Sequence, residues 1–79
     1  MKQFQLYVRS GCHLCEAMEE ELSTFIASGE IQVERIYIDN DAMLNKLYGE
    51  RIPVLTYNKK LICEYFLDPD KLNRVLKTD

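Results

Sequence analysis

Between Phe4 and Val8, apolar residues alternate along the chain. Phe4, Leu6 and Val8 share one face, and Tyr7 adds bulk to the other. A period of two predicts a strand. Arg9-Ser10-Gly11 then reads as a short loop, after which the period changes. Leu14, Met18, Leu22, Phe25 and Ile26 follow spacings of four, four, three and one, a single helical stripe. Glu16, Glu19, Glu20 and Ser23 fall on the outer side, where a run of acids is a solvated helix face. Ser28-Gly29 ends this helix, because glycine takes the left-handed capping conformation without steric cost.

Ile31, Val33 and Ile36-Tyr37-Ile38 predict a second strand, rich in β-branched and aromatic residues. Asp39 or Asn40 is placed to cap a second, shorter helix with Met43, Leu44, Leu47 and Tyr48 on its core face and Gly49 as its stop. Pro53 opens a third strand, Val54 to Tyr57, and a fourth runs from about Lys60 to Phe66. Asn58-Lys59 between them has the length of a hairpin turn, and asparagine tolerates positive φ there. Tyr65 and Phe66 are expected to pack at the sheet edge. Asp68-Pro69 reads as an N-cap followed by proline at the first helical position. Leu72, Val75 and Leu76 give the last helix its buried side.

The predicted order is β-α-β-α-β-β-α. The first βαβ unit is long enough for a right-handed parallel crossover, and the hairpin after the second helix makes the remainder antiparallel. The expected fold class is α/β, with a mixed four-stranded sheet and helices on both faces. At 79 residues the chain is sized for one small domain, expected to span residues 1–79. Apolar residues make up 47% and charged residues 29%, an ordinary globular balance. The net charge is −3, and no basic cluster exceeds Lys59–Lys60, which argues against nucleic acid or an anionic membrane surface as a partner. No stretch approaches the ~18 apolar residues of a membrane span. The opening MKQFQLYVR lacks the apolar run of a secretory signal, so a cytoplasmic location is expected.

Cys12 and Cys15 stand where the first strand gives way to the first helix. In the cytosol a close cysteine pair is more often catalytic or metal-binding than a structural disulfide, and the odd total of three cysteines also speaks against a disulfide framework. At a helix N-terminus the unpaired N–H groups and the helix dipole favour thiolate over thiol. Arg9 and His13 add positive potential in sequence, His13 as a tuner of the thiolate, while Glu16 opposes them. Cys15, one turn further on, is placed to close a short disulfide and to be less exposed. That asymmetry suits attack by Cys12 and resolution by Cys15. The same spacing serves as half of a zinc site, but zinc takes about four ligands, and the chain offers only His13 and Cys63 besides the pair. Cys63, in the last strand, reads as a small buried hydrophobe.

The segment YVRSGCHLC, the βαβ unit holding it, and RIPVL about forty residues on together resemble the thioredoxin-fold superfamily, and within it the small glutaredoxin-like proteins. The resemblance runs from Phe4 to Leu76. It implies that Cys12 is the nucleophile and Cys15 the resolving cysteine. It also implies that Pro53 is cis and faces the disulfide, and that Ile52 offers its backbone to an extended substrate. Arg9 holds the place of a basic residue that helps bind glutathione in true glutaredoxins. Two departures stand out. The usual Pro-Tyr between the cysteines is replaced by His13-Leu14. The Gly-Gly pair that follows the fourth strand in true glutaredoxins is absent from EYFLDPDK, where Asp68 and Asp70 oppose a carboxylate ligand.

The function so expected is that of a dithiol–disulfide oxidoreductase, a monomer with no bound cofactor or metal. Its substrates would be protein or small mixed disulfides, and its reductant glutathione or thioredoxin reductase. Glutathione is possible only as a co-substrate. The alternatives from other classes are a metal-binding module, holding zinc or an iron–sulfur cluster through the motif cysteines, and a redox-inactive interaction domain.

Overall fold

A computed structural model of the chain describes residues 2–77. The elements are β1 (Lys2–Val8), α1 (His13–Ala27), β2 (Ile31–Tyr37), α2 (Ala42–Tyr48), β3 (Val54–Tyr57), β4 (Lys60–Glu64) and α3 (Pro69–Lys77). The sheet order is β2-β1-β3-β4, with β1 parallel to β2 and antiparallel to β3, and β3 antiparallel to β4. This is the mixed four-stranded α/β sheet that the sequence pattern implies.

Alternation along β1 divides the sheet into two faces. Phe4, Leu6 and Val8 are fully buried and form one core with Met18 and Leu22 of α1, Leu55 of β3, Cys63 of β4 and Leu72 of α3. On the opposite face Tyr7 stacks on Tyr48, with ring centroids 4.5 Å apart, which fixes α2 there. Burying a side chain such as Leu22 contributes about 2 kcal/mol, so these few contacts carry much of a small domain's stability.

The caps follow local chemistry. Gly29 lies at φ 82 and its N–H donates to Ile26, closing α1. Asn58 and Lys59 both take positive φ, 50 and 67, as a two-residue hairpin turn requires. Asp68 accepts the Lys71 N–H at 3.1 Å and opens α3 ahead of Pro69.

Four expectations need correction. The cap of α2 is Asp41, which accepts the Leu44 N–H at 3.0 Å, not Asp39 or Asn40. The inward face of α2 is Leu44 and Tyr48 alone. Met43 and Leu47 are 72% and 53% exposed, because one step of the helix carries them ~100° away from the sheet. On α1 the buried line is Cys15, Met18 and Leu22, which leaves Leu14 and Ile26 at the rim. Finally, β4 ends at Glu64, so Tyr65 and Phe66 lie in a turn beyond the sheet edge.

Candidate active site

Strand register brings the site together. Val8 pairs with Tyr37, Tyr7 with Val54, and Val54 with Glu64. The segments that follow β1, precede β3 and follow β4 therefore all leave the sheet at one end. Cys12, Ile52–Pro53 and Tyr65–Phe66 are the residues they carry there.

Cys12 is the N-cap of α1, with extended backbone at φ −94 and ψ 112. Its sulfur accepts the backbone N–H of Cys15 at 3.2 Å, and its carbonyl accepts the N–H of Glu16 at 3.1 Å. The cap is thus a thiol sulfur where a hydroxyl or carboxylate usually stands. Gly11, at φ 71, supplies the left-handed step that turns the chain into the helix. The two cysteine sulfurs lie near disulfide distance, across a Cα–Cα separation of 5.2 Å. Cys12 is half-buried, whereas Cys15 is only 2% exposed and faces the core. Of the two, Cys12 is the one that reaches solvent.

Beside the cysteine pair, between α1 and the end of β2, lies a cleft of about 350 Å³ whose walls include Arg9, Glu16, Glu19, Arg35 and Tyr37. Arg35 is ion-paired with Glu19. Its hydrogen bond with Tyr37, and then the Glu19 charge, push the pKa of the guanidinium above its usual value. No sequence motif marks this pairing, which joins a helix to a neighbouring strand.

His13 is almost fully exposed, and its Nδ1 lies 3.9 Å from the Glu16 carboxylate. Arg9 lines the same cleft, and its side chain is tethered to α2. Its guanidinium donates to Asn45 Oδ1 at 3.1 Å and to the Gly49 carbonyl at 3.2 Å, tying the loop after β1 to the end of α2. Asn45 is itself fixed, donating from Nδ2 to the carbonyls of Ile38 and Asp41. Ser10 adds a second tether through its N–H and hydroxyl to Asp39, at 3.2 and 3.1 Å.

The Ile52–Pro53 bond is cis, and both residues are buried. Among the described residues neither the N–H nor the carbonyl of Ile52 has a backbone hydrogen-bond partner. The Pro53 carbonyl accepts the Tyr65 N–H at 2.9 Å. The Tyr65 hydroxyl donates to the Glu50 carbonyl at 2.6 Å, and Arg51 pairs with Glu64 at 2.5 Å. Three contacts thus lock the turn after β4 to the segment before β3. Sequence reasoning missed this lock. Its one signal is Asp68-Pro69, which starts a helix so soon after Glu64 that a tight turn must intervene.

Cys63 lies on the core side of β4, 8% exposed and opposite Leu55. Burial pushes its thiol pKa up. Among the described residues no group of three or more His, Cys, Asp or Glu side chains is placed to hold a metal ion, and no helix is long and apolar enough to cross a membrane.

Residues 3–77 match the family model described as Glutaredoxin-like domain (DUF836). Among solved structures, protein Ne2328 from Nitrosomonas europaea is similar to this chain at 38% identity and a TM-score of 0.85, over 96% of this chain and 92% of that one. Protein XcR50 from X. campestris is similar at 33% identity and a TM-score of 0.74, over 92% and 93% of the two chains. No curated protein matches the chain.

Proposed function

The chain belongs to the glutaredoxin-like domain family, and we propose that it is a dithiol–disulfide oxidoreductase acting through Cys12 and Cys15. One observation carries this reading: the sulfur of Cys12 caps α1 and accepts the Cys15 N–H, with Cys15 buried behind it. A thiolate in that position is held by the amide and the helix dipole, and only it faces a substrate.

In the reduced protein the Cys12 thiolate attacks one sulfur of a substrate disulfide. The substrate S–S bond breaks, and the first thiol leaves as a thiolate that takes a proton from water. Cys15 then gives up its proton, and its thiolate attacks Cys12 Sγ in the mixed disulfide, releasing the second thiol. Two electrons pass from the protein dithiol to the substrate, leaving the Cys12–Cys15 disulfide. A thiol reductant, glutathione or thioredoxin reductase, restores the dithiol. The uncommitted backbone of Ile52 suits an extended substrate chain lying across the site. The reading requires no bound metal or organic cofactor.

The test is stoichiometric. Pre-reduced protein mixed with excess bis(2-hydroxyethyl) disulfide should release two small thiols per chain, and Cys12→Ser should release none. A protein purified without air that is brown and absorbs visible light, and that releases no thiol, would replace this reading with an iron–sulfur module.

A further inference from the structure

Tyr65 has φ 66, a left-handed conformation. For a bulky residue this is rare and costs free energy, so the surroundings must hold it. They do so from two sides, through its N–H on Pro53 and its hydroxyl on Glu50. The next backbone N–H, that of Phe66, turns back to the Glu64 carbonyl at 2.7 Å. The outcome is an aromatic ring held out from a rigid turn: Phe66 is 70% exposed. Leu14, set between the two cysteines, is 38% exposed. The bonds of Tyr65 to Pro53 and Glu50 account for the turn, but they leave the exposed Phe66 ring without a role in the fold.

Position supplies the purpose. The turn leaves the sheet at the same end as Cys12, two strand spacings across, from β1 through β3 to β4. That is about 10 Å, the length of three residues of extended chain. We propose that Phe66, held by the Tyr65 turn, is a docking side chain that selects peptide disulfides with an aromatic or long aliphatic residue two or three positions from the reacting cysteine. This deepens the proposed function and rests on it. A substrate crossing Ile52 to reach Cys12 runs on over the turn, and its apolar side chain packs against Phe66.

The experiment uses the pre-reduced protein in single turnover, so the identity of the electron donor does not enter. Three probes are compared: a peptide with leucine two positions from a cysteine, blocked as a mixed disulfide with 2-mercaptoethanol, the same peptide with aspartate in place of leucine, and bis(2-hydroxyethyl) disulfide. The wild type should react about tenfold faster with the leucine peptide than with the aspartate peptide, the effect of burying one or two methylene-sized patches. Phe66→Ala should abolish that preference and leave the small disulfide unchanged. Met43→Ala, a comparably exposed apolar residue in the first turn of α2, should change none of the three rates. If Phe66→Ala keeps the leucine preference, or slows all three probes alike, the docking role is wrong while the oxidoreductase reading stands. If the wild type fails to reduce even the small disulfide, the oxidoreductase reading falls and the docking role falls with it.

Discussion

The backbone N–H of Cys15 donates to the sulfur of Cys12 at 3.2 Å. In the proposed mechanism this amide holds charge on the Cys12 thiolate, and the two cysteines are unequally exposed. In Cys15→Ser, Cys12 should titrate below the ~8.5 of a free cysteine, measured by thiolate absorbance near 240 nm. Cys12→Ser should reduce disulfide turnover to background, whereas Cys15→Ser should accumulate a mixed disulfide visible by mass spectrometry. A Cys12 titration at or above 8.5 would refute the nucleophile assignment.

Arg9 is tied to Asn45 and Gly49, and the turn after β4 carries Tyr65 and Phe66 in place of the Gly-Gly pair of the true glutaredoxins that the chain resembles. Glutathione should therefore bind at millimolar concentration or weaker, about 4 kcal/mol or less. Amide shifts of reduced Cys15→Ser during a glutathione titration measure this, and saturation at micromolar concentration would restore a true glutathione site. Arg9→Ala should leave the glutathione response unaltered but lower unfolding stability by about 0.5–1 kcal/mol, through the lost link to α2.

Burial raises the Cys63 thiol pKa, which fixes the sign of a pH effect. The unfolded chain releases this proton at a lower pH than the folded one. Stability from Cys63 is thus complete below the unfolded thiol pKa and declines as pH rises from there through the folded value. Urea unfolding of the oxidised protein between pH 7 and 10 should show this decline, with a shallower slope in Cys63→Ala. Tyr7, whose pKa is also raised, mainly by burial, adds a decline of the same sign only at higher pH, above its ordinary value of 10.0. Identical slopes in the two proteins would show that Cys63 does not titrate as a buried thiol.

The strained turn gives an inverted substitution order. Tyr65→Phe loses only the hydroxyl bond to Glu50 and should cost about 1 kcal/mol. Tyr65→Ala loses that bond and keeps the left-handed strain, whereas Tyr65→Gly loses the bond and relieves the strain. Glycine should therefore be the more stable of the two by about 1 kcal/mol, in spite of its greater freedom in the unfolded chain. Thermal unfolding of the three variants decides it; alanine above glycine would mean the turn is unstrained.

Short-range physics accounts for what could be read from the sequence. The Asn58-Lys59 turn, the Gly29 stop and the Asp68-Pro69 start are each decided by one or two residues, and each stands where the pattern places it. The Cys12–Cys15 pair was legible for the same reason: helix onset and cysteine spacing are local. The faces of α2 were not. Met43 and Leu47 are as apolar as Leu44, and only contact with Tyr7 and its neighbours decides which pair turns inward. The bond from Arg9 to Asn45 was not legible either, because the two residues lie thirty-six positions apart. Phe66 looked like the end of a strand because a strand pattern gives no sign that Tyr65 will turn back on Pro53.

The pairing of β1 with β3 joins Gln5 to Thr56, residues fifty-one positions apart. It is the seam between two stretches of chain that each hold part of the proposed machinery. Residues 2–48 bring the cysteines, and residues 53–77 bring Pro53 and the aromatic turn. A polypeptide cut near Glu50 would yield one fragment with reactive thiols and no platform, and another with a platform and nothing to react. Mixing the two fragments and watching selective disulfide reduction return would make catalysis itself a reporter of reassembly.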